Sequence, residues 1–225
     1  CRPFGIRLLS IYGSTESSPH SLVRLNDTRE HTEETDGCAV DGVEIRVVDD
    51  NRHEVPHGQE GEEASRGPQV FVGYWGEPEM TARALDADGW YYSGDYCRTD
   101  SEGRYIRITG RKKDIIVRGG ENISSREVED IVLEYPGVRE AAVVAMPDER
   151  LGERGCACVS MRPGAPAMHL TDLVAFFDGR RVAKYKFPEY LVVLDALPRT
   201  SSGKLQKFAL ARMVRERVAA GQPSD

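Results

Sequence analysis
The sequence predicts an α+β fold in two unlike parts, and three observations carry that expectation. Up to about Ile108, short strand-like runs alternate with polar turns. Beyond Gly110, helical spacing appears between further strand-like runs. A charged stretch, Gly110-Arg111-Lys112-Lys113-Asp114, lies between the two and reads as a hinge. With 40% hydrophobic and 30% charged residues among 225, the chain carries enough apolar material for one or two buried cores, so a folded protein is expected.

Taken in order, Ile6 to Tyr12 reads as a strand, and Val43 to Val48 as another closed by the polar stretch Asp49 to His53. The second part opens on Ser124-Ser125-Arg126-Glu127, a capping box. Val128, Ile131, Val132 and Tyr135 follow at helical spacing, and Pro136-Gly137 is the stop. Ala141–Met146, Cys156–Met161 and Tyr190–Leu194 read as strands, and Thr171–Val182 and Lys207–Ala219 as helices. Residues 221–225 read as a disordered tail. The expected division is therefore 1–109, 110–220 and 221–225.

Charge and cysteine usage narrow the classes. A net charge of -7 argues against general nucleic-acid binding, yet local basic clusters can still hold phosphates, so the partner anion should be small. No run approaches the ~18 apolar residues of a membrane span. Cys1-Arg2-Pro3-Phe4-Gly5 resembles neither a basic leader nor an apolar signal. Cys1, Cys38, Cys97, Cys156 and Cys158 are odd in number and lack zinc-type pairing, which favours reduced thiols in the cytoplasm, at most peripheral to a membrane. A chain that opens on Cys1 and runs almost at once into Ile6–Tyr12 is read as a piece of something longer.

Five short segments carry residue types suited to chemistry, and each also admits a plain structural reading. In Tyr12-Gly13-Ser14-Thr15-Glu16 a glycine permits close backbone approach, hydroxyls can donate to phosphate and a carboxylate can hold Mg²⁺; an ordinary polar turn would look the same. Tyr91-Tyr92-Ser93-Gly94-Asp95 places an acid after a glycine, where it can accept from both hydroxyls of a ribose or cap its own turn. Arg104, Arg107, Arg111, Lys112, Lys113 and Arg118 form a basic stretch that faces phosphates or merely solvent. Gly119-Gly120-Glu121-Asn122 joins a strand to the capped helix, as a ligand-approaching loop or a simple connection. Pro198-Arg199-Thr200-Ser201-Ser202-Gly203-Lys204 presents a lysine from a turn, where a cation can meet developing negative charge; the P-loop spacing is not met, and Leu205 stands where a hydroxyl residue would be required.

Together, the order and spacing of these segments resemble the adenylate-forming (AMP-binding) superfamily over nearly the whole chain. Tyr12–Glu16 looks like its Y-G-x-T-E motif, Gly61-Glu62 with Gly73-Tyr74-Trp75 like its G-E and G-Y-W segment, and Tyr91–Asp95 like Y-x-x-G-D. Gly110–Asp114 matches the hinge motif, and Pro198–Lys204 the lysine turn near the end of the chain. The run Arg111–Ser124 is most similar to acyl-CoA ligases, in particular bacterial short- and medium-chain fatty acyl-CoA synthetases and cyclohexanecarboxylate-CoA ligases. One departure is Ser125, where many relatives have proline; the capping box offers a comparable helix start.

The resemblance implies the β-rich end of a large adenylate-forming domain followed by a small mobile α+β domain, with the phosphate loop and most of the acyl pocket lying upstream. It implies an ATP-dependent ligase that turns a carboxylic acid, most simply a short- or medium-chain fatty acid, into its acyl-CoA through an acyl-adenylate. ATP/AMP, Mg²⁺ and coenzyme A are the implied ligands. Tyr12 would lie against adenine, with Gly13 and Ser14 beside it; Thr15 would contact the α-phosphate, Glu16 would help bind Mg²⁺, Asp95 would hold the ribose, and Arg111 would reach the nucleotide. Lys113 would be the hinge residue. Lys204 would serve adenylation, and rotation of the small domain would bring Gly119, Gly120 and Glu121 to the site for the CoA step. The chain alone is then expected to be inactive and to expose apolar surface. The competing readings are a non-catalytic interaction remnant, an adenylation domain serving a carrier protein, and an aromatic or alicyclic acid-CoA ligase.

Overall fold
The computed structural model describes residues 6–219. Cys1 and the 221–225 tail lie outside the described residues. The chain divides into two compact units between Lys112 and Lys113, inside the charged stretch.

The first unit is built from two antiparallel sheets. One has three strands in the order β1 (Ile11–Ser14), β2 (Ser18–Leu22) and β3 (Cys38–Ala39); the other is a meander of β4 (Glu44–Val48), β5 (Gly61–Arg66), β6 (Tyr91–Thr99) and β7 (Ile106–Arg111). Val48, Ala64, Trp90 and Tyr92 make a small core on the meander. The strand expected at Ile6–Tyr12 begins only at Ile11, because cross-strand pairing starts there; Ile6 and Leu8 are exposed. Two short helices, α1 (Arg29–Glu34) and α2 (Pro78–Ala84), escape periodicity because they span barely two turns. Their local signals are Thr28, whose hydroxyl accepts from His31 N, and Pro78 at the first helical position. Val72 and Trp75 are fully exposed.

The second unit is a five-stranded sheet with helices on both faces. Its strands are β8 (Ile115–Arg118), β9 (Glu121–Ser124), β10 (Val138–Asp148), β11 (Gly152–Met161) and β12 (Tyr190–Val193), ordered β10-β11-β8-β9 with β12 parallel to β11. Strand alternation sorts the side chains. Val143, Ala157 and Val159 face a core completed by Val128 and Val132 of α3 (Ser125–Leu133) and by Leu173 and Phe177 of α4 (Leu170–Gly179). Ala142, Val144, Met146, Cys156 and Cys158 face a second core closed by Leu210 and Val214 of α5 (Lys207–Ala219). Cys156 and Cys158 are thus apolar filler, their sulfurs 3.9 Å apart and unbridged. Ser124 caps α3 by accepting from Glu127 N, as the sequence leads one to expect. Helix α4 stops at Gly179, short of Val182, and Arg181 takes a positive φ of 57°.

Candidate functional site
In the first unit the β1–β2 hairpin carries Tyr12–Glu16. Gly13 lies opposite Pro19, and a Cβ there would sit 2.2 Å from the Ser18 carbonyl oxygen. The close approach that requires glycine is therefore to the hairpin's own backbone. Ser14 Oγ lies 3.0 Å from Ser17 Oγ and accepts from Ser17 N, so this hydroxyl is engaged within the turn. Thr15 is exposed at the tip. Glu16 is half-buried and Oε1 accepts from the Tyr74 hydroxyl at 3.0 Å.

Asp95 does not follow a turn: the whole of Tyr91–Thr99 is one strand, and Gly94, with φ of 71°, sits in an irregularity where the β5–β6 register slips opposite Glu63. Such a bulge re-aims side chains. Here the Asp95 carboxylate meets the Tyr12 hydroxyl at 3.0 Å through Oδ2 and Arg111 Nε at 3.4 Å through Oδ1, Arg111 being its cross-strand partner. Tyr12, Asp95 and Arg111 are thereby brought together from β1, β6 and β7. The Tyr12 hydroxyl also lies 3.4 Å from Glu63 Oε2. Burial first, and the Glu63 charge next, hold the Tyr12 phenol far above its ordinary pKa, so it is a proton donor.

The basic stretch is dispersed and largely matched by acids. Arg107 faces Asp36, Lys112 bridges Asp50 at 2.8 Å and Glu62 at 3.0 Å, and Arg118 pairs with Glu189 at 2.8 Å. Lys113 is exposed in the short 3₁₀ turn Lys112–Asp114.

In the second unit Gly119 and Gly120, with φ of 59° and 90°, form a two-residue hairpin turn between β8 and β9. Glu121 and Asn122 are already strand, so the expected strand-to-helix loop is a hairpin corner instead. Both glycines are needed because two successive positive φ values exclude side-chain-bearing residues at low cost. Lys204 is exposed on a tight turn: Thr200 N donates to Lys204 O at 2.8 Å, Lys204 N to Thr200 Oγ1 at 3.0 Å, and Arg199 to Gly203 O at 2.7 Å. Arg199 in turn pairs with Glu140, whose carboxyl it holds below the usual range. Three residues further on, at the first position of α5, Lys207 Nζ reaches Glu129 at 2.7 Å and Ser125 Oγ at 2.9 Å.

Sequence reasoning missed four of these residues. Tyr74 stood only as part of a G-Y-W segment, and Lys207 only as the first residue of a helix. His20 on β2, whose Nε2 lies 3.1 Å from Glu63 Oε1, and Glu63 itself carried no signal, because neither Ser18–Leu22 nor Gly61–Arg66 has an apolar alternation to mark its inward side. Among the described residues there is no cluster of three or more His, Cys, Asp or Glu that could hold a metal, and no helix long and apolar enough to cross a membrane.

The family described as AMP-binding enzyme matches residues 2–75, and AMP-binding enzyme C-terminal domain matches residues 127–204. The chain is 62% identical over 218 residues to the medium-chain fatty-acid–CoA ligase of Escherichia coli (strain K12), covering 97% of the chain but 38% of that protein. Among solved structures, ATP-bound MatB from Rhodopseudomonas palustris aligns with a TM-score of 0.87 at 34% identity, covering 94% of this chain and 41% of that one. The o-succinylbenzoate CoA synthetase of Bacillus subtilis, in complex with its acyl-adenylate intermediate, aligns with a TM-score of 0.82 at 30% identity, covering 93% and 42%.

Proposed function
We propose that this chain, which belongs to the AMP-binding enzymes of the adenylate-forming family, serves an ATP-dependent ligase that converts a medium- or short-chain fatty acid to its acyl-CoA through an acyl-adenylate. The single observation that carries the reading is the convergence of Tyr12 and Arg111 on Asp95. A carboxylate steadied on both oxygens, beside an aromatic ring, is what a ribose with its adenine requires. The high identity to a fatty-acid ligase directs the choice of acid.

In this reading Tyr12 packs against adenine, with Gly13 and Ser14 shaping the strand end beside it. Asp95 accepts from the ribose hydroxyls and Arg111 reaches the nucleotide. Thr15, exposed at the hairpin tip, donates to the α-phosphate. Attack of a carboxylate on that phosphate brings two anions together, and the exposed Lys204 supplies the cation that offsets their repulsion. Lys113 is the hinge, and the Gly119–Gly120–Glu121 corner serves the coenzyme A step, in which the thiol displaces AMP from the acyl-adenylate.

Glu16 is the residue that would hold Mg²⁺. The donor set fits, since Mg²⁺ keeps most of its waters and takes phosphate oxygens with only one or two carboxylates, so no protein cage is required. When bound, the ion neutralises charge on the phosphates. Tyr74 fixes one oxygen of Glu16 and leaves the other for it.

The test is release of AMP and acyl-CoA by the full-length protein carrying this segment, with ATP, Mg²⁺, coenzyme A and carboxylic acids of graded chain length. Turnover peaking at medium or short chains supports the reading. A preference for aromatic or alicyclic acids moves the substrate class, and no turnover with any acid removes the ligase.

A further inference from the structure
Among the described residues of the first unit, His20 and Glu63 form a hydrogen-bonded pair with both side chains 0% exposed, and the reaction proposed above uses neither. His20 Nδ1 lies 3.0 Å from the Ser18 carbonyl, which can only accept, so that nitrogen carries a proton. Nε2 lies 3.1 Å from Glu63 Oε1, and one proton held between them satisfies both. The other Glu63 oxygen is 3.4 Å from the Tyr12 hydroxyl, and the Tyr12 ring meets the imidazole edge-on at 5.1 Å.

Tyr12 therefore has one phenolic proton and two carboxylates within reach, Glu63 and Asp95. Where that proton goes is decided by what else holds Glu63. With Oε1 held by His20, Glu63 Oε2 is fixed 3.4 Å from the phenol oxygen and shares its proton with Asp95 Oδ2 at 3.0 Å, so the pair anchors the Tyr12 hydroxyl where it meets Asp95. Replacing both members by apolar residues of similar volume removes the desolvation cost of two buried ionisable groups together with their attraction, an exchange that is often neutral for stability.

We propose that His20 and Glu63 are positioning residues for the nucleotide subsite, directing the Tyr12 hydroxyl and through it the Asp95 carboxylate offered to the ribose. This rests on the nucleotide reading of Tyr12 and Asp95, and the experiment separates the two. In the full-length protein, KM for ATP, KM for the acid, kcat and the thermal midpoint are measured for Glu63→Gln, for the apolar double variant His20→Leu/Glu63→Leu, and for Asp95→Asn.

The expected result is an ATP KM raised about tenfold in Glu63→Gln and in the double variant, as for loss of a hydrogen bond to a charged group, with the acid KM unchanged. The double variant should melt at or above the parent temperature. In a Tyr12→Phe background, Glu63→Gln should add less than about twofold, since the effect travels through that hydroxyl. An unchanged ATP KM in both variants, with Asp95→Asn raising it, overturns the positioning role and leaves the nucleotide reading intact. An unchanged ATP KM in Asp95→Asn sinks the nucleotide reading and this inference with it. If Glu63→Gln does not fold, the double variant decides; if neither folds, the pair is a folding requirement and the positioning role is wrong.

Discussion

Lys207→Met isolates one polar knot in the second unit. Its ammonium lies 2.7 Å from Glu129 Oε1, 2.9 Å from Ser125 Oγ and 3.6 Å from Asp114 Oδ2, and Glu129 also accepts the Val143 backbone N–H at 2.8 Å. Methionine keeps the stem's volume but leaves the Glu129 side chain, 10% exposed, as a charge with no cation on it. Breaking a fully buried pair from one side costs about 3–5 kcal/mol, and the 24% exposure of Lys207 lets water recover part of it, so about 2–3 kcal/mol is expected. In urea that lowers the midpoint by about 1 M. Tryptophan fluorescence would miss the effect, because Trp75 and Trp90 both lie in the first unit. Amide exchange at Val143, which should accelerate, reads it directly. Adding Glu129→Gln should recover most of the loss, since the cost is the stranded charge rather than the missing bond. A loss below about 0.5 kcal/mol, the range of an ordinary surface change, or no recovery in the double variant, refutes the reasoning.

Lys204→Ala should lower adenylate formation in the full-length protein by about 10²–10³-fold, as for removal of one transition-state charge donor, while shifting the thermal midpoint hardly at all because the side chain is exposed; a matching loss of stability would point to a structural lysine. Gly13→Ala should cost about 3 kcal/mol, because the new Cβ would meet backbone at 2.2 Å and 2.6 Å on Ser18 and Pro19, neither of which can rotate away; equilibrium unfolding that moves by less than 1 kcal/mol, well under ~3 kcal/mol, would show that the hairpin yields. Burial opposes protonation of His20, but the hydrogen bond and charge of Glu63 outweigh it and raise the pKa above 6.5. A raised folded value means its stabilisation is complete below about 6.5 and is lost as pH rises through the folded pKa. Thermal midpoints should therefore decline as pH rises above about 6.5 and flatten in His20→Gln; an identical decline in that variant assigns the titration elsewhere.

Much of the second unit was legible in the sequence because its elements are long and locally marked. Ser124 announces α3 by its own hydroxyl, and Cys156 and Cys158 declare one face of β11 by alternation. The first unit was harder. Tyr91–Asp95 reads as a run into a glycine turn, yet pairing with β5 and β7 on either side keeps Gly94 inside the strand as a bulge. Gly119-Gly120 reads as the approach to a helix because β9, at four residues, is too short to show a period.

For the site the division is sharper. The sequence determined which groups are available, since motif order along the chain named Tyr12, Asp95, Arg111 and Lys204 without reference to any contact. Only the tertiary structure decided what those groups touch. Glu63 lies against His20 of another sheet, on a strand whose register with β6 slips beside it, and Lys207 meets Glu129 because α5 and α3 approach one another across seventy-odd residues of chain. Local chemistry is written in neighbouring residues, whereas the partner of a buried charge is set by long-range packing.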